Sequence, residues 1–249
     1  YVVRVPFLAL YVPFDLANLS ALNLNNFLVS ALLALVLLMG TAFFFDAFRS
    51  SNASLVGTIG SAFVVPTVIL SVIFFNETLD FPQLLAIGVI VVGLVATSLD
   101  FKSLRERGTM MDRGVALALL AMLCWGIYFA LIRIPVEEIG WFLPSYIGFL
   151  CAPFVLVLMK IQKVKLEMPT ANQAFPSFLA MLLLGTAANF GYNLGISSGF
   201  TSIVAPIAGA YPVLFVLLSA LMFKEPLEKV QIVGMVISLT GIVTLSALA

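Results

Sequence analysis

The stretch SIVAPIAGAYPVLFVLLSALMFKEPLEKVQIVGMVISLTGIVTLS, from Ser202 to Ser246, is two apolar runs joined by a short charged turn around Glu225. Each run approaches the roughly 20 residues that carry a helix across the hydrocarbon core of a bilayer. The same order of residues occurs earlier in the chain. At an offset of 148, Ser71, Phe75, Glu77, Leu79, Gln83, Gly93, Val95 and Ser98 meet Ser219, Phe223, Glu225, Leu227, Gln231, Gly241, Val243 and Ser246. Two copies of a pair of lipid-soluble helices, each with its acidic turn, are the mark of a duplicated membrane unit, and such units commonly enclose a solute path.

Composition agrees with that assignment. Hydrophobic residues make up 62% of the 249 and charged residues 10%, with mean hydropathy +1.17. A soluble domain is about half apolar and about a quarter charged, so water is not the solvent this chain was made for. The apolar runs are too many for a signal peptide or a lone anchor, and they lack the alternation of a membrane β-barrel. Twelve basic and twelve acidic residues balance with no basic stripe, which argues against nucleic acid as a partner. Histidine is absent, removing His-based metal sites, Ser–His catalytic pairs and His proton relays together. No cofactor is expected. Cys124 and Cys151 lie inside apolar runs and read as small buried hydrophobes.

The hydropathy pattern predicts nine spans, at about 1–14, 27–48, 52–75, 82–99, 114–133, 144–160, 175–197, 202–223 and 229–248, all helical because backbone groups in lipid must pair within their own segment. Pro6, Pro66, Pro153, Pro206 and Pro212 fall within them and predict kinks in helices that line the interior. The repeat extends further back: Leu37-Leu38-Met39-Gly40-Thr41-Ala42 matches Leu182-Leu183-Leu184-Gly185-Thr186-Ala187 at an offset of 145, and Arg4-Val5-Pro6 echoes Arg133-Ile134-Pro135. The domain organisation that follows is a first repeat over 1–100 with four helices, a polar hinge over 101–113, and a second repeat over 114–249 with five. The first copy lacks the partner of 114–133, so the expectation is a chain missing its opening helix. Five helices per copy is an odd number, which turns the copies upside down relative to each other. The predicted fold is an all-α membrane protein, a ten-helix inverted-repeat (5+5) transporter bundle of which nine helices are present.

Several motifs now carry a resemblance. Ala205-Pro206-Ile-Ala-Gly-Ala-Tyr211-Pro212-Val-Leu-Phe-Val-Leu-Leu-Ser219, with Phe223-Lys-Glu225-Pro-Leu and Gln231-Ile-Val-Gly234, resembles the repeat unit of the drug/metabolite transporter superfamily, EamA-like permease branch. The first copy holds a weaker version in Ser51-Asn-Ala-Ser-Leu, Phe74-Phe-Asn-Glu77-Thr-Leu and Gln83, and Trp125-Gly-Ile-Tyr128-Phe-Ala-Leu-Ile-Arg133 resembles the end of a unit's first helix. Two departures stand out: Pro66 is two positions off from Pro212, and Asp46 sits where a neutral residue is usual. The resemblance covers essentially the whole chain. It implies a multi-pass permease of the cell membrane that moves a small organic solute by alternating access, without being an enzyme. The expected partners are a small-molecule substrate and the lipid bilayer.

Candidate site residues come from polar and aromatic groups at depth. Asn189, Tyr192 and Asn193 share the 175–197 helix with Thr186, and 186, 189 and 193 follow the spacing of one helical face. Two amides in hydrocarbon are costly unless bonded; they either tie helices together or line a cavity, and we expect them to bind substrate. Trp125 and Tyr128 on the 114–133 helix, and Tyr211 beside Pro212, would face the same space. Asp46 precedes Arg49 by three residues. Its bland role is an interfacial ion pair; its sharper role is to take up a proton that couples transport. Arg133, with Glu137 four residues on, reads as a snorkelling ion pair. Glu77 and Glu225 would each cap the helix that follows them, with substrate contact as the alternative. The spans offer at most Arg133 as an embedded cation, so a phosphorylated substrate is disfavoured. The expected cargo is an amino acid or another hydrophobic or zwitterionic metabolite, moved outward. The rival functions are an intramembrane enzyme acting on lipid headgroups, which would need converging acids or metal ligands at depth, and a non-transporting receptor or assembly subunit.

Overall fold

Every element of the computed structural model is a helix, and no strand occurs among the described residues, which are 4–51, 53–98, 113–151, 153, 160, 175–214, 216–217 and 228–249. Six helices are long and apolar enough to cross a bilayer: Leu24–Ser50, Leu55–Phe75, Phe81–Ser98, Arg113–Ile139, Phe178–Ser198 and Lys229–Leu248. Two shorter apolar helices cover Arg4–Phe14 and Thr201–Leu214. These correspond to eight of the nine predicted spans. The ninth begins as Leu143–Leu150, and the rest of it lies outside the described residues. Ser219, Phe223, Glu225 and Leu227 of the repeat lie outside them too, as does the 101–112 part of the hinge.

In chain order the helices are α1 (Arg4–Ala9), α2 (Leu16–Ala21), α3 (Leu24–Ser50), α4 (Ala53–Ser61), α5 (Val64–Phe75), α6 (Phe81–Ser98), α7 (Arg113–Leu131), α8 (Arg133–Ile139), α9 (Leu143–Leu150), α10 (Phe175–Ser198), α11 (Thr201–Ala208) and α12 (Lys229–Leu248). Proline placement explains many of these boundaries. Pro6, Pro66, Pro82, Pro135, Pro144 and Pro176 all occupy the second or third position of a helix. There the missing N–H would have had no acceptor and the ring meets no preceding turn. The predicted kink at Pro66 is therefore a break just upstream of it, at Ala62–Phe63. Its counterpart before Pro212 falls at Gly209–Ala210. Both breaks carry the same bond, from the Val65 N–H to the Ala62 carbonyl at 3.0 Å and from the Val213 N–H to the Ala210 carbonyl at 3.0 Å, again at the offset of 148.

The chain divides into two compact units, and neither is one of the sequence repeats. Unit 1 consists of Tyr1–Leu38 and Ile132–Ser198, and unit 2 of Met39–Leu131 and Gly199–Ala249. Each draws on both halves of the sequence.

In unit 2, α6 and α12 press backbone against backbone. A Cβ on Gly93 would lie 2.5 Å from the Ser238 nitrogen and 2.8 Å from the Gly234 oxygen, and one on Gly241 would lie 3.0 Å from the Ile90 nitrogen and 3.2 Å from the Ala86 oxygen. Shifted by 148, Gly93, Gly234 and Ser238 become Gly241, Ala86 and Ile90, so the interface is reciprocal, as a two-fold axis requires. The Gln83 amide nitrogen reaches the Leu248 carbonyl at 2.9 Å, so the start of one helix meets the end of the other. The two helices therefore run antiparallel. Ridges of small residues permit this approach in lipid, where dispersion and not water drives association. Phe63, Val64, Val68, Ile90, Leu94 and Met235 are part of the same buried cluster.

Unit 1 is organised by aromatic rings. Ile139, Phe142, Leu143 and Ile147 are buried, with Leu8, Val12, Trp141, Tyr146 and Phe190 around them. The Phe142 ring stacks on Phe190 at 5.3 Å and lies 4.7 Å from Tyr11. Gly140 ends α8 with a positive φ of 75°, and a Cβ there would also strike the Asn18 amide nitrogen. Only glycine suits both conditions.

Candidate functional site

The polar groups of unit 1 meet along a seam joining α9 and α10. Asn193 is only 1% exposed. Its Nδ2 donates to the Trp141 carbonyl at 2.8 Å and to the Ser145 hydroxyl at 2.8 Å. That hydroxyl in turn donates to Asn189 Oδ1 at 2.6 Å. Trp141 lies in the turn that leads into α9, Ser145 and Phe149 are one helical turn apart on α9, and Gly185, Asn189 and Asn193 follow one another by turns of α10. Asn193 Oδ1 is buried and accepts no hydrogen bond. Phe190, Trp141, Phe142 and Tyr146 surround the seam with ring faces and edges.

Sequence reasoning found Asn189 and Asn193 but not their bridge. Ser145 follows Pro144 at the start of a helix, a position that reads as an end-cap residue. Thr186, expected on the same polar face, donates instead to the Leu182 carbonyl of its own helix at 2.6 Å. Tyr192 is buried beside the seam residues in sequence. A further group was misassigned altogether. Arg133 was expected to be at most the one embedded cation, yet Arg4 is 8% exposed and its guanidinium carbon lies 5.2 Å from the centre of the Phe149 ring. The aliphatic stem carries it inward and the ring face stabilises its charge.

The remaining candidates belong to unit 2. Trp125 packs its ring 4.7 Å from Phe44 and edge-on to Phe63 at 6.2 Å, and its edge fills the space left by Gly40. Tyr128 is buried and edge-on to Phe129 at 5.1 Å. Tyr211 is 45% exposed. Asp46 pairs with Arg113 at 3.3 Å on an exposed surface and not with Arg49, three residues on. In unit 1, Arg133 does pair with Glu137 one turn away.

Glu77 caps a helix far along the chain. Asn76, at φ 50°, turns the chain at the end of α5, a conformation asparagine adopts more readily than most residues. The Glu77 carboxylate, 4% exposed, then accepts the backbone N–H of Thr201 at 2.7 Å and of Ser202 at 2.8 Å. These are the first two amides of α11, 124 and 125 residues away. Gln83 Oε1 accepts the Asp80 N–H at 3.0 Å, and Gln231 Oε1 accepts the Glu228 N–H at 3.0 Å, so the repeated glutamine reaches back to the same backbone position in both copies, completing a capping box with Glu228 in the second.

The sequence model of the EamA-like transporter family matches residues 2–99 and 112–247. No curated protein matches. Among 27 matching chains of solved structure, one crystal structure of a protein superposes with a TM-score of 0.67 at 14% identity, covering 97% of this chain and 94% of its own. At that identity the likeness speaks for the fold.

Proposed function

Because the chain belongs to the EamA-like transporter family, whose members are transporters and not enzymes, we propose that this multi-pass membrane permease moves an amino acid or a similar hydrophobic or zwitterionic metabolite outward across the cell membrane. In this reading the full assembly is ten helices in two inverted fives, and transport proceeds by alternating access. The observation that carries it is the seam of Asn189, Ser145 and Asn193. Hydrogen-bonding side chains set among aromatic rings suit a ligand with one polar and one apolar end. Asn189, Tyr192, Asn193, Trp125, Tyr128 and Tyr211 are the substrate-binding residues in this proposal.

Purified protein in lipid vesicles is expected to take up labelled L-amino acids saturably and to be inhibited by the unlabelled compounds. Vesicles that move neither amino acids nor other zwitterionic metabolites under any imposed gradient would defeat the proposal. Proton coupling through Asp46 has its own measurement. Asp46→Asn is expected to abolish substrate-driven proton movement while leaving exchange of labelled for unlabelled substrate intact. Unchanged proton movement would remove Asp46 from the mechanism.

A further inference from the structure

The helices of unit 2 fix which residues share each of its two ends. A Cβ on Gly114 would lie 2.9 Å from the Ser51 nitrogen, and one on Gly126 would lie 2.6 Å from Pro66 Cγ. Between them, Ala118 is buried with Ala47 and Val56. These contacts advance together along the chain, so α7 runs parallel to α4 and α5 and begins where α3 ends. There Arg113 pairs with Asp46 at 3.3 Å. The connection over 76–80 turns the chain from α5 into α6 at the opposite end. The 18 residues of α6 rise about 27 Å, close to the thickness of the hydrocarbon core, and carry Ser98 back to the Arg113 end. Because α12 runs against α6, with Gln83 bonded to the Leu248 carbonyl, Lys229 lies at the Arg113 end too. The Glu77 end receives the start of α11.

Lysine and arginine divide unevenly between those ends. Arg49, Arg113 and Lys229 are exposed at the first. The segment joining Ser98 to Arg113 has both of its ends there and adds Lys102, Arg105 and Arg107, and the connection that leads into Lys229 adds Lys224. The Glu77 end has Glu77 and Asp80 between α5 and α6, Gly199 and Phe200 before α11, and Ala249 after α12. None of these is basic.

We propose that the Arg113 end of unit 2 is a cytoplasmic surface seated on the anionic headgroups of the inner leaflet, with the Glu77 end and Leu248 outside. The proposal takes from the permease reading above only that the membrane is that of the cell. Basic residues close to the ends of spanning helices are retained on the cytoplasmic side, and acidic residues contribute little to that bias. The negative potential of the cytoplasmic leaflet attracts such residues over about a Debye length. The Arg113 side chain is 78% exposed, so it reaches headgroups while its pair with Asp46 stays at the surface.

The test is cysteine accessibility in intact bacterial cells, read in a full chain freed of its own thiols by Cys124→Ala and Cys151→Ala. A membrane-impermeant sulfonated maleimide is expected to modify Thr78→Cys and Ala249→Cys in intact cells, and Ser50→Cys only after permeabilisation. The two ends should differ at least about tenfold, which a bias of this many basic residues sustains. Modification of Ser50→Cys in intact cells with Thr78→Cys protected overturns the proposal, as does equal modification of both ends. If the thiol-free chain does not fold, a phosphatase that is active only outside the cytoplasm is fused behind Ala249 of the unaltered chain. Activity is expected, and an inactive fusion present in the membrane counts against the proposal. Headgroup contact has its own readout. Phosphatidylglycerol in the vesicles should raise the unfolding midpoint of the purified chain above its value in phosphatidylcholine alone. Arg49→Gln, Arg113→Gln and Lys229→Gln combined should remove at least about half of that rise. No rise, or a rise that the triple variant keeps in full, overturns the contact. Labelling does not depend on transport. Reversed ends in a chain that moves amino acids refute this inference alone, and the expected labelling in a chain that moves nothing refutes the permease reading alone.

Discussion

Glu77→Gln is expected to lower the apparent melting temperature of the detergent-solubilised protein by about 5–10 °C. The carboxylate accepts two backbone amides in a buried setting, and hydrogen bonds to a charged group contribute about 1.5–3 kcal/mol each. A glutamine keeps one accepting oxygen and turns an NH2 group toward the second amide. One orphaned N–H and a lost charge on the α11 terminus together cost about 2–3 kcal/mol, and for a chain of this size each kcal/mol moves the midpoint by about 2–4 °C. Glu77→Asp should be nearly as damaging, since the shorter side chain cannot span both amides. The free thiols Cys124 and Cys151 report the transition as they become reactive to a maleimide dye. An unchanged midpoint would mean that the start of α11 is held by something other than this carboxylate.

Asn193→Leu is expected to reduce transport at least about tenfold while the protein still inserts and folds. Leucine keeps the branched shape at Cγ with bulkier ends, a modest overpacking that helices in lipid can absorb, but the Trp141 carbonyl and Ser145 hydroxyl lose their donor. Interhelical hydrogen bonds of this kind are worth about 0.5–2 kcal/mol in a membrane, a tolerable loss of stability. A polar anchor used by the substrate is another matter, because binding then leaves a ligand donor unpaired. Thr186→Ala provides the contrast. Its hydroxyl serves only its own helix, and transport should stay within about twofold of wild type, as expected for loss of a weak local bond. Full activity in Asn193→Leu would reduce the seam to a packing device. Equal loss in both variants would mean that any polar change in α10 perturbs the fold.

The contrast between Glu77 and Gln83 shows how far sequence reasoning reaches. Both recur at the offset of 148, Glu77 in the turn before α6 and Gln83 in the first turn of α6 itself. Gln83 acts on a backbone amide three residues away, so its role follows from local spacing. Glu77 acts across more than a hundred residues, and nothing in its neighbourhood announces the partner. Ser145 and Arg4 follow the same rule. One is a plain serine after a proline and the other a charge near a helix end, and each acquires meaning only when a neighbouring helix supplies Asn189 and Asn193, or Phe149. The glycines are an intermediate case. Their repetition was visible, but their reciprocity depends on α6 and α12 running in opposite directions.

From the residues alone came the membrane environment, the position of most helices, the duplication and the family. Apolar length, proline spacing and a constant offset are properties of short segments, and lipid leaves such segments only helical conformations. Tertiary structure decided that unit 1 and unit 2 each borrow from both repeats, that Glu77 caps α11, and which amides meet across the seam. Those outcomes depend on how each helix is rotated about its axis and on which buried polar group must find a partner once water is gone, and a linear string records neither.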